Sequence, residues 1–164
     1  MNHAEIMEAT TGEDYAVGRT LIEEYAAALG IDLCFQNFSE EISSLHISYG
    51  PPRGFLLLAR VSGKVVGCVA VRNQSGTACE MKRLYVRLEY RRSGLGRRLA
   101  EMAIRNAQKL RYAKMVLDTL PSMTAAQSLY GSLGFREVEG DYPKPVQDVH
   151  NLALELTNSE KTTA

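Results

Sequence analysis

Apolar and polar positions along the chain fall into segments with two different periods. "AEIMEA" (4–9) has the short alternating character of a strand. "TGEDYAVGRTLIEEYAAALG" (11–30) has helical spacing, with Gly30 placed to cap its end. "FSEEISSL" (38–45) predicts a second, short helix, with Ser39 as N-cap and Glu41 in the first turn. "GFLLLARVSGKVVGCVAVR" (54–72) reads as a hairpin, two apolar strands around Ser62-Gly63. "NQSG" (73–76) predicts another turn, and "TACEMKRLYVRL" (77–88) the next strand, so three strands follow one another as an antiparallel meander. A glycine turn then leads into a helix over about 94–110. Leu95, Leu99, Met102, Ala103, Ala107 and Leu110 share one face of it. "KMVLDTL" (114–120) is a strand, "MTAAQSLYGSLG" (123–134) a helix stopped by Gly134, and "FREVEGDY" (135–142) and "VHNLALEL" (149–156) are two last strands. The strand–helix–strand unit over 78–120 requires a parallel pair joined by a right-handed crossover. The predicted fold is α/β: a mixed, mostly antiparallel central sheet with helices on both faces. It forms a single domain over 1–156, with 157–164 as a frayed tail.

Composition narrows the class. The 164 residues are 45% hydrophobic and 23% charged, ordinary globular values. No apolar run approaches the roughly 20 residues a membrane helix needs. The N-terminus lacks the basic start and apolar run of a signal peptide. Cys34, Cys68 and Cys79 are an odd set without metal-type spacing, which predicts reduced thiols, a cytoplasmic setting and no metal. Lys and Arg together number 19 and so do Asp and Glu, but the balance is uneven: between Tyr90 and Lys114 there are eight basic residues and only Glu101 is acidic. A solvated helix face is one reading. A compact basic patch in a neutral chain also suits a small phosphate-bearing molecule, better than nucleic acid, which asks for a wider basic surface.

The centre of that patch is "EYRRSGLGRRLAEMAI" (89–104). A strand that passes through a glycine turn into a helix start makes an anion site. The first helical turn leaves backbone N–H groups unpaired, and the helix dipole adds partial positive charge. Gly94 and Gly96 permit close approach of a phosphate, and the flanking arginines add forked donors. Three kinds of fold can build such a seat. A Walker loop needs a G-x-x-x-x-G-K-[ST] run, which is absent. A dinucleotide fold wants a third glycine where Leu99 stands, which disfavours a nucleotide-dependent oxidoreductase. An acyl-CoA site is the third.

"LYVRLEYRRSGLGRRLAEMAI" resembles motif A of the GNAT superfamily of N-acetyltransferases, with Arg91-Arg92-Ser93-Gly94-Leu95-Gly96 at its turn. "AAQSLYGSLGF" (125–135) resembles the same superfamily's motif B, with Leu129-Tyr130 and Gly134-Phe135 in place. The motifs occur in the right order with one strand between them, and the order of elements agrees to about Leu156. Many members carry Asn seven residues before the motif B tyrosine; here Met123 stands there. The resemblance implies an acyl-CoA donor, most often acetyl-CoA. It places the diphosphate on the backbone amides of 92–97 (Arg92, Ser93, Gly94, Leu95, Gly96, Arg97, beside Arg91) and the pantetheine arm along Leu84, Tyr85 and Val86. It also implies that the parallel strands 77–88 and 114–120 splay to form the acyl-CoA cleft.

Transfer to an amine needs a proton acceptor, because an alkylamine with pKa about 10.4 is charged at neutral pH. It also needs donors for an oxyanion and a proton for the departing thiolate. By the resemblance, Tyr130 is the acid, Glu80 the base acting through water, and the Val86 amide the oxyanion donor. The alternatives are a packing tyrosine and a strand carboxylate paired with Lys82 or Arg83. Asp118 either orients the amine or caps a turn, and His3, His46 and His150 form no cluster. Tyr25, Asp32, Phe35, Gln36, Tyr142 and Asp148 lie where relatives build the acceptor pocket, or they close the rim of the core. The expected acceptor is a small-molecule primary amine; neither nucleic acid nor membrane is an expected partner, and a homodimer stays open. The competing function is a non-catalytic acyl-CoA sensor.

Overall fold

The computed structural model describes residues 3–30, 38–139 and 149–156. Strand β1 (Ala4–Glu8) leads into helix α1 (Gly12–Leu29). Thr11 and Asp14 start α1 with a reciprocal capping box, each side chain accepting the other's backbone N–H at 3.1 Å. Gly30 ends it in the left-handed conformation at φ 64°. Two short helices follow, α2 (Phe38–Ser43) and α3 (Leu45–Ser48), so the single helix expected over 38–45 is broken at Ser44 and extends further. Ser39 lies inside α2 rather than capping it.

Strands β2 (Phe55–Val61) and β3 (Lys64–Ser75) form the predicted hairpin, with Ser62 and Gly63 at φ 50° and 80° in its turn. Strand β3 runs through Asn73–Ser75, where a turn was expected, and the chain reverses at Gly76 instead. Next come β4 (Ala78–Val86), a 3-10 turn at Leu88–Tyr90, helix α4 (Leu95–Lys109), β5 (Lys114–Thr119) and helix α5 (Thr124–Ser132). Strand β6 is only Arg136–Glu137, shorter than the expected 135–142, whose last residues lie outside the described set. Strand β7 (His150–Glu155) is the last element among the described residues.

The described strands make one sheet in the order β1-β2-β3-β4-β5-β7-β6. Strands β4 and β5 pair in parallel and every other pair is antiparallel. Two apolar layers cover its faces. On one, α4 and α5 pack Leu95, Leu99, Ala103 and Tyr130 against Leu57, Val69, Met81 and Leu117. On the other, α1 and the short helices pack Leu21, Ile22, Ile42 and Leu45 against Leu56, Leu58, Cys68 and Ala70. No described helix is long and apolar enough to cross a membrane.

Candidate active site

The site begins with one extra residue in β4. Ala70 of β3 faces Lys82, and Cys68 faces Tyr85, so one residue on β3, Val69, opposes two on β4, Arg83 and Leu84. This is a β-bulge, and Arg83 occupies it at φ 61°, unusual for a residue with a Cβ. The slip has two consequences. Lys82 and Arg83 both turn toward the α1–α3 face, where Glu41 of α2 meets them. The alternation then restarts one residue late: Leu84 and Val86 pack on the α4 side and Tyr85 on the α1 side.

The bulge coincides with the parting of the parallel strands. Their pairing covers only Ala78–Lys114, Cys79–Met115 and Glu80–Val116. Beyond Glu80 the edge of β4 is left by β5. The Arg87 N–H donates to the Val66 carbonyl on the β3 side at 2.9 Å. By strand alternation the Val86 N–H faces the opposite, vacated edge. There Leu84, Tyr85 and Val86 form one wall of a cleft of about 390 Å³. The start of α5, Ser122–Ala126, forms the other wall, and Tyr25, Ala28 and Leu29 of α1 contribute the rest with Arg91. Met123, where many relatives have Asn, is the N-cap residue of α5 and lines this cleft without a side-chain cap bond.

The glycine turn follows directly on Arg91, which lines this cleft, while its Ser93 and Leu95 line a neighbouring cavity with Ala4, Val61 and Tyr90. The Arg91 N–H donates to Leu88 O at 3.2 Å, and the Arg98 N–H makes the first α-helical bond, to Gly94 O at 3.1 Å. Between them the N–H groups of Arg92, Ser93, Gly94, Leu95, Gly96 and Arg97 meet no backbone acceptor among the described residues, and no side chain caps the helix. Gly94 sits at φ 82° as N-cap. A Cβ at Gly94 would meet nothing within 4 Å, and one at Gly96 would reach only Val86 Cγ2 at 3.9 Å. Packing therefore does not require glycine at 96. What its absence of a side chain preserves is bare, donor-rich backbone that fits a diphosphate.

The arginines around the turn divide among several tasks. Arg91 lines the cleft, donates to Val86 O at 2.7 Å and lies over the Tyr85 ring at 5.7 Å. Arg92 is exposed at φ 63°. The Arg97 side chain pairs with Glu101 at 2.9 Å, one helical turn on, and bonds Ser132 Oγ at 2.8 Å. Arg98 reaches across to Ala4 O at 3.0 Å. Arg97 and Arg98 therefore have protein partners of their own, whereas Arg91 lines the cleft and Arg92 is exposed. Consecutive helical residues diverge by about 100°, and Arg97 and Arg98 leave the helix toward different partners.

Tyr130 lies one helical turn beyond the cleft-lining Ala126, 7% exposed, edge-on to Phe135 with ring centroids 5.7 Å apart. Burial, and then the neighbouring Tyr25, raise its pKa above the ordinary 10.0, so the phenol stays protonated at neutral pH. Glu80 does not line the cleft. It is 7% exposed, bound to Arg72 at 2.9 Å, and about 13 Å along the strand from Leu84. Tyr25 lines the cleft, edge-on to Tyr85. Asp118 sits beside Asn151 in the β5–β7 ladder. Asp32, Phe35, Gln36, Tyr142 and Asp148 lie outside the described residues, as does Cys34.

Sequence reasoning did not single out the Arg83–Glu41 pair. The guanidinium donates two bonds to the carboxylate, 2.8 and 2.9 Å long, with both side chains 4% exposed. It ties the bulge to α2 across 42 positions of sequence. Burial alone would raise the Glu41 pKa; the bonds and charge of Arg83, with Lys82, outweigh it and hold it below the ordinary 4.5. Stability from this carboxylate is complete above that ordinary value and is lost as pH falls through the lower folded value. Glu41→Ala leaves a buried guanidinium without its partner, and the expected loss in urea unfolding is about 3–5 kcal/mol.

Comparison with known proteins agrees with this geometry. The family model described as Acetyltransferase (GNAT) family matches residues 17–135. The chain belongs to the GNAT family of acetyltransferases. A Schizosaccharomyces pombe protein named as an uncharacterized N-acetyltransferase is 43% identical over 141 residues, covering 85% of this chain and 86% of its own. A Dictyostelium discoideum protein of the same description is 31% identical, covering 84% and 93%. The N-acetylaspartate synthetase of Xenopus tropicalis is 36% identical over 88 residues, 53% of this chain and 32% of its own. Among solved structures, a GNAT-family acetyltransferase from Staphylococcus aureus superimposes with TM-score 0.79 at 20% identity, covering 94% and 100%. One from Elizabethkingia anophelis, with acetyl-CoA bound, gives 0.65 at 23%, covering 93% and 98%. The protein is an N-acetyltransferase with the fold of this family.

Proposed function

We propose that the chain transfers the acetyl group of acetyl-CoA directly to a primary amine of a small molecule within a ternary complex. The observation that carries this reading is the run of six N–H groups, Arg92 to Arg97, that meet no backbone acceptor among the described residues, directly after Arg91, which lines the cleft along the vacated edge of β4. The structural neighbour with acetyl-CoA bound supports the donor. The partial likeness to N-acetylaspartate synthetases supports a small acceptor.

Bound there, acetyl-CoA supplies an activated thioester. The chain's own groups do the rest. The amides of Arg92–Arg97 hold the diphosphate, and Arg91 and Arg92 add positive charge beside it. The free edge of Leu84–Val86 aligns the pantetheine arm as a strand would. The Val86 N–H faces that edge and stabilises negative charge on the thioester oxygen as the amine attacks. Tyr130 delivers a proton to the departing sulfur. Glu80, which does not line the cleft, takes the ammonium proton through a solvent relay.

Thiol release from acetyl-CoA across a panel of small amines tests the reading, with calorimetric binding of CoA alongside. Turnover with at least one amine is expected. CoA binding without turnover across the panel would favour a sensor, and no CoA binding would remove the seat.

A further inference from the structure

Another cavity, of about 180 Å³, lies between α5 and the β5–β7–β6 end of the sheet and shares no lining residue with the cleft. Thr119 and His150 line it as register partners in the β5–β7 ladder, so their side chains stand next to each other. They share the α5 face with Leu117 and Leu152, each two positions away on its strand. Gln127 of α5 and Glu137 of β6 add polar lining, and Phe135 and Leu152 form an apolar wall. Thr119 is 3% exposed and its Oγ1 has no hydrogen-bond partner. A buried hydroxyl left in this way is costly unless something else completes it.

The neighbouring polar groups are each committed on one side only. His150 Nδ1 lies 2.9 Å from Glu137 Oε1. An ionised carboxylate only accepts, so Nδ1 carries the hydrogen and Nε2 of the neutral ring presents a lone pair. Gln127 Nε2 donates to Leu120 O at 2.7 Å, which leaves Oε1 as the acceptor of that amide. Around the Thr119 hydroxyl, then, stand an imidazole nitrogen and an amide oxygen, with the exposed Glu137 carboxylate at the rim. No Lys or Arg lines the cavity. Such a set suits a ligand that donates and carries positive charge. A primary ammonium has three N–H donors and no acceptor, whereas a carboxylate or phosphate would meet lone pairs on every side. The volume is that of about six waters, room for a head group and a few carbons, and the apolar wall suits the carbons. We infer that this cavity binds a short primary alkylammonium, its head among Thr119, His150 and Gln127 and its chain against Phe135 and Leu152. The inference is independent of the acetyl-transfer reading, because it concerns a cavity whose lining the cleft does not share.

The test is an NMR titration of the full chain with n-propylammonium chloride at fixed pH and ionic strength, read at the His150 ring and the Thr119 methyl. The controls are n-propanol and propionate, chains of the same length with a neutral and an anionic head. Saturable shifts of both signals are expected with n-propylammonium, at a Kd about tenfold or more below that for n-propanol, the effect of charge-assisted hydrogen bonds. Thr119→Val keeps the shape and removes the hydroxyl; followed at the His150 ring, its Kd for n-propylammonium is expected to rise about tenfold. Gln127→Met serves the same purpose should the valine variant fail to fold by circular dichroism. Absence of saturable shifts in wild type overturns the inference, as does binding of n-propanol or propionate as tight as that of n-propylammonium. An unchanged Kd in both variants overturns it as well. Each of these results leaves acetyl transfer intact, since CoA binding and thiol release test that reading separately.

Discussion

Gly94→Asp is expected to raise the Kd for CoA about a hundredfold, read by calorimetry, while the protein still folds. The position lies within the run of N–H groups assigned to the diphosphate, and a Cβ there meets no atom of the protein within 4 Å. A carboxylate about 5 Å from a diphosphate charge costs roughly 3 kcal/mol at an effective dielectric constant near 20, and about 2 with partial solvent screening. The left-handed φ of 82° adds a backbone term that Asp and Asn tolerate better than other side chains. Gly94→Asn separates the two contributions, having nearly the same shape and backbone preference without the charge. The Asn variant is expected to bind CoA about tenfold or more tighter than the Asp variant. Equal affinities would show that charge at this turn does not reach the ligand.

Tyr130→Phe is expected to lower kcat by about a hundredfold, within the range for loss of a general acid, with KM for acetyl-CoA changed less than about twofold. The substitution keeps the ring that packs on Phe135 and removes only the hydroxyl. Because burial raises the phenol's pKa above 10.0, ionisation of Tyr130 should impose no fall in kcat between neutral pH and about 10. A pH profile of the wild type therefore distinguishes this acid from one titrating near neutrality. Retained turnover in the Phe variant, measured where chemistry limits the rate, would assign Tyr130 to packing alone.

Local signals in the sequence were sufficient for the elements that frame the cleft. The two apolar runs around Ser62-Gly63, the Gly30 cap of α1 and the amphipathic face of α4 each follow from local chemistry, and the strand–helix–strand connection dictates the parallel pair. The end of β3 was obscured because Asn73–Ser75 run exposed beyond the core, so their polar composition reads as a turn although the ladder continues. The bulge did leave a trace. Cys79 and Met81, then Leu84 and Val86, are two alternating runs offset by one residue, and the three-residue step from Met81 to Leu84 marks the slip. What the slip organises has no such trace. Glu41 reads as a first-turn acid of a short helix, and nothing near it in sequence announces a bidentate bond to Arg83, 42 positions away. The task of each arginine near the glycine turn is likewise set by partners remote in sequence, Ser132 for Arg97 and Ala4 for Arg98.

The central claim is that the N–H groups of Arg92 through Arg97 are left open by the fold in order to grip a diphosphate. Backbone amide resonances followed by NMR during a CoA titration test it directly on the unmodified protein. The account predicts that these six amides show the largest shifts of the chain, together with slowed hydrogen exchange at saturation. Saturable CoA binding that leaves all six unshifted and unprotected would contradict it.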